Sequence, residues 1–291
     1  MSFGESVPLD RVAAVHGVRL ESLARSGGAG DSSWWDLIKT VTTGAVVSRG
    51  VVSGVLGSVA GSLTKAGASE ASRARPQDSS QADRAALIDL GWLGNGGEVT
   101  AARRRLRKDL GATPVTWTLS AADPAGERRA RVLVGVTQAV VIEEATRRPW
   151  HVRDHPADDR VHVGLVSRSA LPLVLAAWVG LGPAWSVDTD VAVPADLVEA
   201  RLRSAEVPAP RGADAALCAI WSNPWVLWSV SCPNWRGAEA HLSAGDRGQF
   251  LVRPIGDGRT VRLVAQPATL IWGRLLEVCH PPEIIADDWG R

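Results

Sequence analysis

Between residues 96 and 279 the chain writes one order of elements twice. In the first unit, Val99, Ala102, Leu106 and Leu110 fall at helical spacing over 96–111. A strand at 114–121 follows, with Val115, Trp117 and Leu119 on one face. Residues 129–136 and 138–145 then read as two strands around a short turn or as one long bent strand, and a strand is predicted at 160–166. A helix at 169–180 closes the unit, and its Pro172 suits a first turn. The second unit opens with a helix at 212–223. It continues with strands at 224–232, 238–244, 248–254 and 260–266, the last two joined by a "GDG" turn (256–258). It ends in a helix at 267–279. Between the units lies a strand-like segment and a helix starting at Pro194. Such a repeat restricts the fold to the α+β class: an antiparallel sheet with flanking helices and pseudo-twofold internal symmetry. The repeat halves are 96–180 and 212–280, inside a domain running from 84 to 280.

The first 83 residues have a different texture. From Trp34 through Ile38, Val41, Ala45, Ser48, Val52, Leu56, Val59 and Leu63, apolar and small residues recur at spacings of four and three. That pattern predicts an extra N-terminal helical segment over 34–63. Arg49 at its middle and its many Gly, Ser and Thr residues argue against a membrane span. The polar stretch 67–83 reads as a flexible linker. Residues 281–291 form a C-terminal tail.

Composition excludes some functions. Thirty-two Lys and Arg nearly balance 31 Asp and Glu, which does not suit a strongly basic nucleic-acid binder. Arginine supplies nearly all the cations, a bias expected of a GC-rich genome such as an actinobacterium. Cys218, Cys232 and Cys279 show no C-x-x-C spacing, so neither a thiol redox motif nor a zinc knuckle is written. The opening "MSFGESVPLDR" is no secretory signal. His151 and His155, four apart among Asp154, Asp158 and Asp159, are the only seed of a metal site, and Pro156 breaks them into a loop. "GNGG" (94–97) lacks the Lys and Ser/Thr of a phosphate loop. "RRRLRK" (103–108) carries its cations on the outer face of a helix whose stripe runs through Leu106. No catalytic constellation, cofactor motif or metal-ligand set emerges, so the expected protein is not an enzyme.

Four of the thirteen tryptophans lie in "WSNPWVLWSVSCPNW" (221–235). Trp221 belongs to a helix stripe. On the following strand Val226, Trp228, Val230 and Cys232 share an apolar face that reads as core. Trp225, Leu227, Ser229 and Ser231 share a mixed face. Trp225, with Leu227 and with Trp235 in the next loop, is therefore the candidate partner anchor, since Trp dominates interface hot spots. On this reading Trp225→Ala weakens binding and spares the fold, whereas Trp228→Ala damages the core.

The closing segment "DRGQFLVRPIGDGRTVRLVAQPATLIWGRLLEVC" (246–279) resembles the EspG family of ESX (type VII) secretion-associated chaperones. Asp246, Gly248, Phe250, Asp257-Gly258 and Pro267-Ala268 match its pattern of strand, "DG" turn, strand, Pro-Ala and apolar helix, with Gln249 where arginine is usual. "LIDLGWLGNGGEV" (87–99) and "DTDVAVPADLVEARL" (188–202) are similar to other family segments. The resemblance covers about residues 84–280. It implies a cytoplasmic chaperone without catalytic activity. Such a protein binds a secreted helical PE–PPE-like pair and delivers it to the secretion machinery, with no nucleic acid involved. The family's substrate site lies beside the loop here written "AADPAGERR", which implies Arg129 and Arg131 as a polar rim to the Trp225 anchor. A self-assembling scaffold or adaptor using the 34–63 helix stays open, as do homo-oligomerisation, nucleic-acid binding and metal-dependent catalysis.

Overall fold

The computed structural model describes residues 43–48, 51, 52, 56, 81–111, 114–144, 160–181, 189–232 and 239–279. They build an α+β fold around one sheet of ten strands, every neighbouring pair antiparallel. The elements are β1 (Thr43–Ser48), α1 (Gln81–Asp89), α2 (Ala101–Leu110), β2 (Val115–Asp123), β3 (Gly126–Val134), β4 (Gln138–Glu144), β5 (Arg160–Ser167) and α3 (Leu171–Trp178). They continue with β6 (Asp190–Pro194), α4 (Ala195–Arg203), α5 (Ala215–Trp221), β7 (Val226–Ser231), β8 (Ala240–Ser243), β9 (Gln249–Ile255), β10 (Thr260–Gln266) and α6 (Ala268–Cys279). The strand order is β1-β5-β4-β3-β2-β7-β8-β9-β10-β6. Two meanders, β2 to β5 and β7 to β10, therefore meet at the β2–β7 pair, and β1 and β6 form the two edges.

Local chemistry fixes the element ends. Thr100 caps α2 by accepting from the Arg103 amide at 3.2 Å, and Gly111, at φ 69°, lets the chain leave the helix. Asp214 caps α5 through the Leu217 amide at 2.7 Å. In the β9–β10 turn Gly256 and Gly258 take φ of 57° and 81°, which a side chain would resist. The β3–β4 turn is held from outside. Asp109 of α2 accepts from the Thr137 amide and hydroxyl and from the Gln138 amide at 2.8–3.0 Å. A Cβ on Gly135 would sit 2.9 Å from the Asp109 carbonyl oxygen, so only glycine permits this approach.

Strand alternation sends side chains to two differently covered faces. On the first face, α3 and α6 pack together over the centre of the sheet. Their core partners include Trp117, Leu119, Val132 and Val141 from one meander and Val226, Trp228 and Val230 from the other. All eight residues of α3 are buried. Among the described residues, the second face is covered only at its wings. On one wing, α1, α2 and helical residues 51, 52 and 56 sit over Leu133, Val140, Ile142 and Val163. On the other, α4 and α5 sit over Leu242, Phe250, Val261 and Leu263.

One expectation is corrected. The 34–63 segment is not a single helix, because Thr43–Ser48 is a strand paired with β5 from Thr43↔Leu165 to Ser48↔Arg160. The spacing of Val41, Ala45 and Ser48 imitates a helical stripe. The run "TGAVVS", however, holds two β-branched valines and can complete an edge whose backbone groups would otherwise be unpaired. Asp83 of α1, 4% exposed, fastens this edge by accepting from the Ser48 amide at 2.8 Å and the Arg160 guanidinium at 3.2 Å. Val47 is fully buried. Residues 43–48 of the N-terminal segment thus belong to the sheet, residues 51, 52 and 56 are helical, and α1 begins at Gln81, inside the stretch read as linker.

Candidate partner-binding face

Between the two wings the second face exposes a seam three strands wide. Cross-strand register builds it in rows. Arg131, Thr118 and Ser231 form one row, and Arg129, Ser120 and Ser229 the next. The Ser120 and Ser229 hydroxyls are 2.8 Å apart, on the line where the two meanders meet. Thr118, Arg129 and Ser231 are exposed; Ser120, Arg131 and Ser229 are half-buried. Arg129 pairs with Glu127 at 3.3 Å, a solvated contact of small energy. The seam offers hydroxyls that donate or accept and guanidiniums that only donate. Its width across three strands is about 10 Å, close to the roughly 10 Å diameter of an α-helix.

The sequence-predicted site residues divide accordingly. Arg129 and Arg131 lie on the seam. Leu227 shares their face but is half-buried against the α4–α5 wing. Trp225 is not an exposed anchor: it is 1% exposed. Its indole Nε1 donates to the Ile220 carbonyl at 2.9 Å. Trp221 meets it edge-on at 4.6 Å, and the Arg201 guanidinium lies 5.4 Å from its ring centroid. Burial of Arg201 lowers its pKa, and the guanidinium holds its place by donating to the Trp221 and Asn223 carbonyls at 3.0 and 2.8 Å. The alternation that put Trp225 on the mixed face was right. The cover on that part of the face comes from α4 and α5, which no strand pattern reveals. Trp235, His151 and His155 lie outside the described residues. The residues the sequence reading passed over are Thr118, Ser120, Ser229 and Ser231. Their signal was present in the polar alternation of "LWSVS" and "TWTLS", and the adjacent Trp outweighed it.

The first face holds a buried polar group of a different kind. His241 is 1% exposed and stacks on Trp228 at 4.4 Å. Burial drives its pKa from 6.5 to about 4, against a smaller upward pull from Glu239, with Arg274 adding to the fall. Glu239 is itself held by Arg274 of α6 at 2.7 Å. The neutral imidazole is therefore part of the folded state. Unfolding raises its pKa, so the unfolded chain binds more protons between pH 6.5 and 4. Stability contributed by His241 is whole above about pH 6.5 and declines as pH falls toward 4, by up to about 3 kcal/mol. His241→Phe, which keeps a ring against Trp228, is expected to flatten this acid limb in urea titrations run from pH 7 to pH 4. An unchanged slope would assign the acid sensitivity to other groups.

Among the described residues, no three His, Cys, Asp or Glu side chains gather as a metal site requires, and no helix is long and apolar enough to cross a membrane. Compared with protein-family models and with curated proteins, the chain matches none.

Proposed function

We propose that this protein is a cytoplasmic, non-catalytic chaperone. On this reading it receives the helical tip of a secreted PE–PPE-like pair on the mid-sheet seam and passes it to a type VII secretion system. The observation that carries the reading is the seam itself. It is a helix-wide polar strip bearing Arg129, Arg131 and four hydroxyl side chains, walled by helix-covered wings. A strip of this width between raised walls can seat one helix, and its polar lining calls for a helix that turns a polar, hydrogen-bonding face to it. The α+β antiparallel architecture agrees with the fold that the resemblance of residues 246–279 implies.

The finer architecture belongs to the same reading. The two halves are copies related by a pseudo-twofold axis between Ser120 and Ser229. Support comes from the mirrored strand order, the matching edge strands β1 and β6, and the closing helices α3 and α6 packed over the shared centre. A seam on such an axis presents two similar half-sites. That suits a partner which is itself a pair of helices.

The test is co-expression of the full chain with the helical pair encoded beside a type VII system of its own genome, followed by size-exclusion chromatography and light scattering. One chain with one pair is the expected stoichiometry. Separate elution of chain and pair at micromolar concentration would refute the proposal.

A further inference from the structure

A cavity of about 340 Å³ opens beside the seam's first wing. Its apolar part comes from Leu90, Trp92 and Leu165, and α2 contributes Ala102, Arg105 and Asp109. Two features mark it as a binding site. Trp92 is 1% exposed, yet its indole Nε1 has no hydrogen-bond partner among the described residues, a state that buried donors rarely keep. Asp109 keeps its negative charge but is turned to the β3–β4 turn, where its two oxygens accept three hydrogen bonds from Thr137 and Gln138. The cations along α2 outnumber this one carboxylate. Arg105, Arg107 and Lys108 are exposed and have no carboxylate partner among the described residues.

The described chain ends close by. Arg168, 7% exposed, donates from Nε to the carbonyl of Cys279, the last residue of α6, at 3.0 Å. The same guanidinium reaches the Val136 carbonyl at 3.4 Å, and the Arg168 amide donates to Thr137, which lines the cavity. Beyond Cys279 the sequence continues as "HPPEIIADDWGR", with Glu283, Asp287 and Asp288 set around Ile284, Ile285 and Trp289. The eight residues that follow Cys279, through Asp287, span up to about 26 Å when extended, more than a path that begins one arginine away from the cavity wall requires. Charge, apolar content and starting point all fit one occupant.

We propose that the cavity and the basic face of α2 are the docking site for the chain's own segment 281–291. One of Ile284 and Ile285 fills the apolar cavity, Asp287 and Asp288 face Arg105 and its neighbours, and a backbone carbonyl of the segment accepts from Trp92 Nε1. Docked in this way, the segment shields the basic face of α2 from acidic partners. The site is independent of whatever binds the seam.

The experiment uses the full chain with benzoylphenylalanine, a photoreactive amino acid, in place of Ile285. Illumination is expected to cross-link position 285 to residues 90–109 of the same chain, with a yield that does not change on dilution. Arg105→Glu, at an exposed position, is expected to lower that yield about fivefold, and adding Asp288→Arg to restore most of it. Cross-links that land elsewhere would overturn the proposal. So would cross-links that form only between chains, or a yield indifferent to Arg105→Glu in a variant that melts like the parent.

Discussion

Trp225→Ala is expected to lower stability by about 3–5 kcal/mol, or roughly 10 °C in melting temperature for a chain of this size. The substitution removes a ring that is 1% exposed. It also leaves the Ile220 carbonyl without its donor and takes away the aromatic surface facing Trp221 and the Arg201 guanidinium. Unlike an interface residue, it contributes to the packing of α4 and α5 on the sheet whether or not a partner is present. A paired urea titration of Trp225→Ala and Trp228→Ala tests this. Both are expected to unfold at clearly lower denaturant than the parent, because each ring is covered, Trp228 by α3 and α6 and Trp225 by α4 and α5. A Trp225→Ala variant as stable as the parent would mean that the ring is solvent-facing in solution.

Arg168→Ala is the second large effect, expected at about 2–4 kcal/mol. One buried guanidinium serves the carbonyls of Cys279, Gly135 and Val136 at 3.0, 3.5 and 3.4 Å. It joins the end of α6 to the β3–β4 turn, so its loss strikes both meanders at once. Its positive charge also sits at the C-terminal end of α6, where the helix dipole is negative. Arg168→Lys keeps the charge without the planar fork, and is expected to recover about half of the loss at most. Equal stability of the parent and Arg168→Ala in thermal melts would show that water replaces the guanidinium without cost.

Much of the architecture was legible in the residues. The alternation in "PVTWTLSA" and "PWVLWSVSC" placed β2 and β7, and the apolar runs "LPLVLAAW" and "ATLIWGRLLEVC" placed α3 and α6. These elements are long or strongly patterned, and tertiary packing agrees with their local preference. β1 was not legible. Six residues give no decisive period, and what makes them a strand is the free edge of β5, which lies more than a hundred residues away in sequence. The candidate site was half legible for a similar reason. Period two assigns Trp225, Leu227, Ser229 and Ser231 to one face. It cannot say that α4 and α5 cover the first two and leave the last two open. The pairing of Ser120 with Ser229 depends on a register between strands 109 residues apart, which no local pattern encodes.

The seam is tested most directly by a binding titration of the helical PE–PPE-like pair against the parent and Ser229→Arg. Residue 229 lies at the centre of the seam, half-buried, and among the described residues its hydroxyl bonds only to that of Ser120. A long cation there fills the strip a helix would occupy and costs the sheet little. Ser229→Arg is expected to weaken binding at least about 30-fold, some 2 kcal/mol at a central interface position, while melting within a few degrees of the parent. Unchanged affinity in a folded Ser229→Arg protein would contradict a partner seated on the mid-sheet seam.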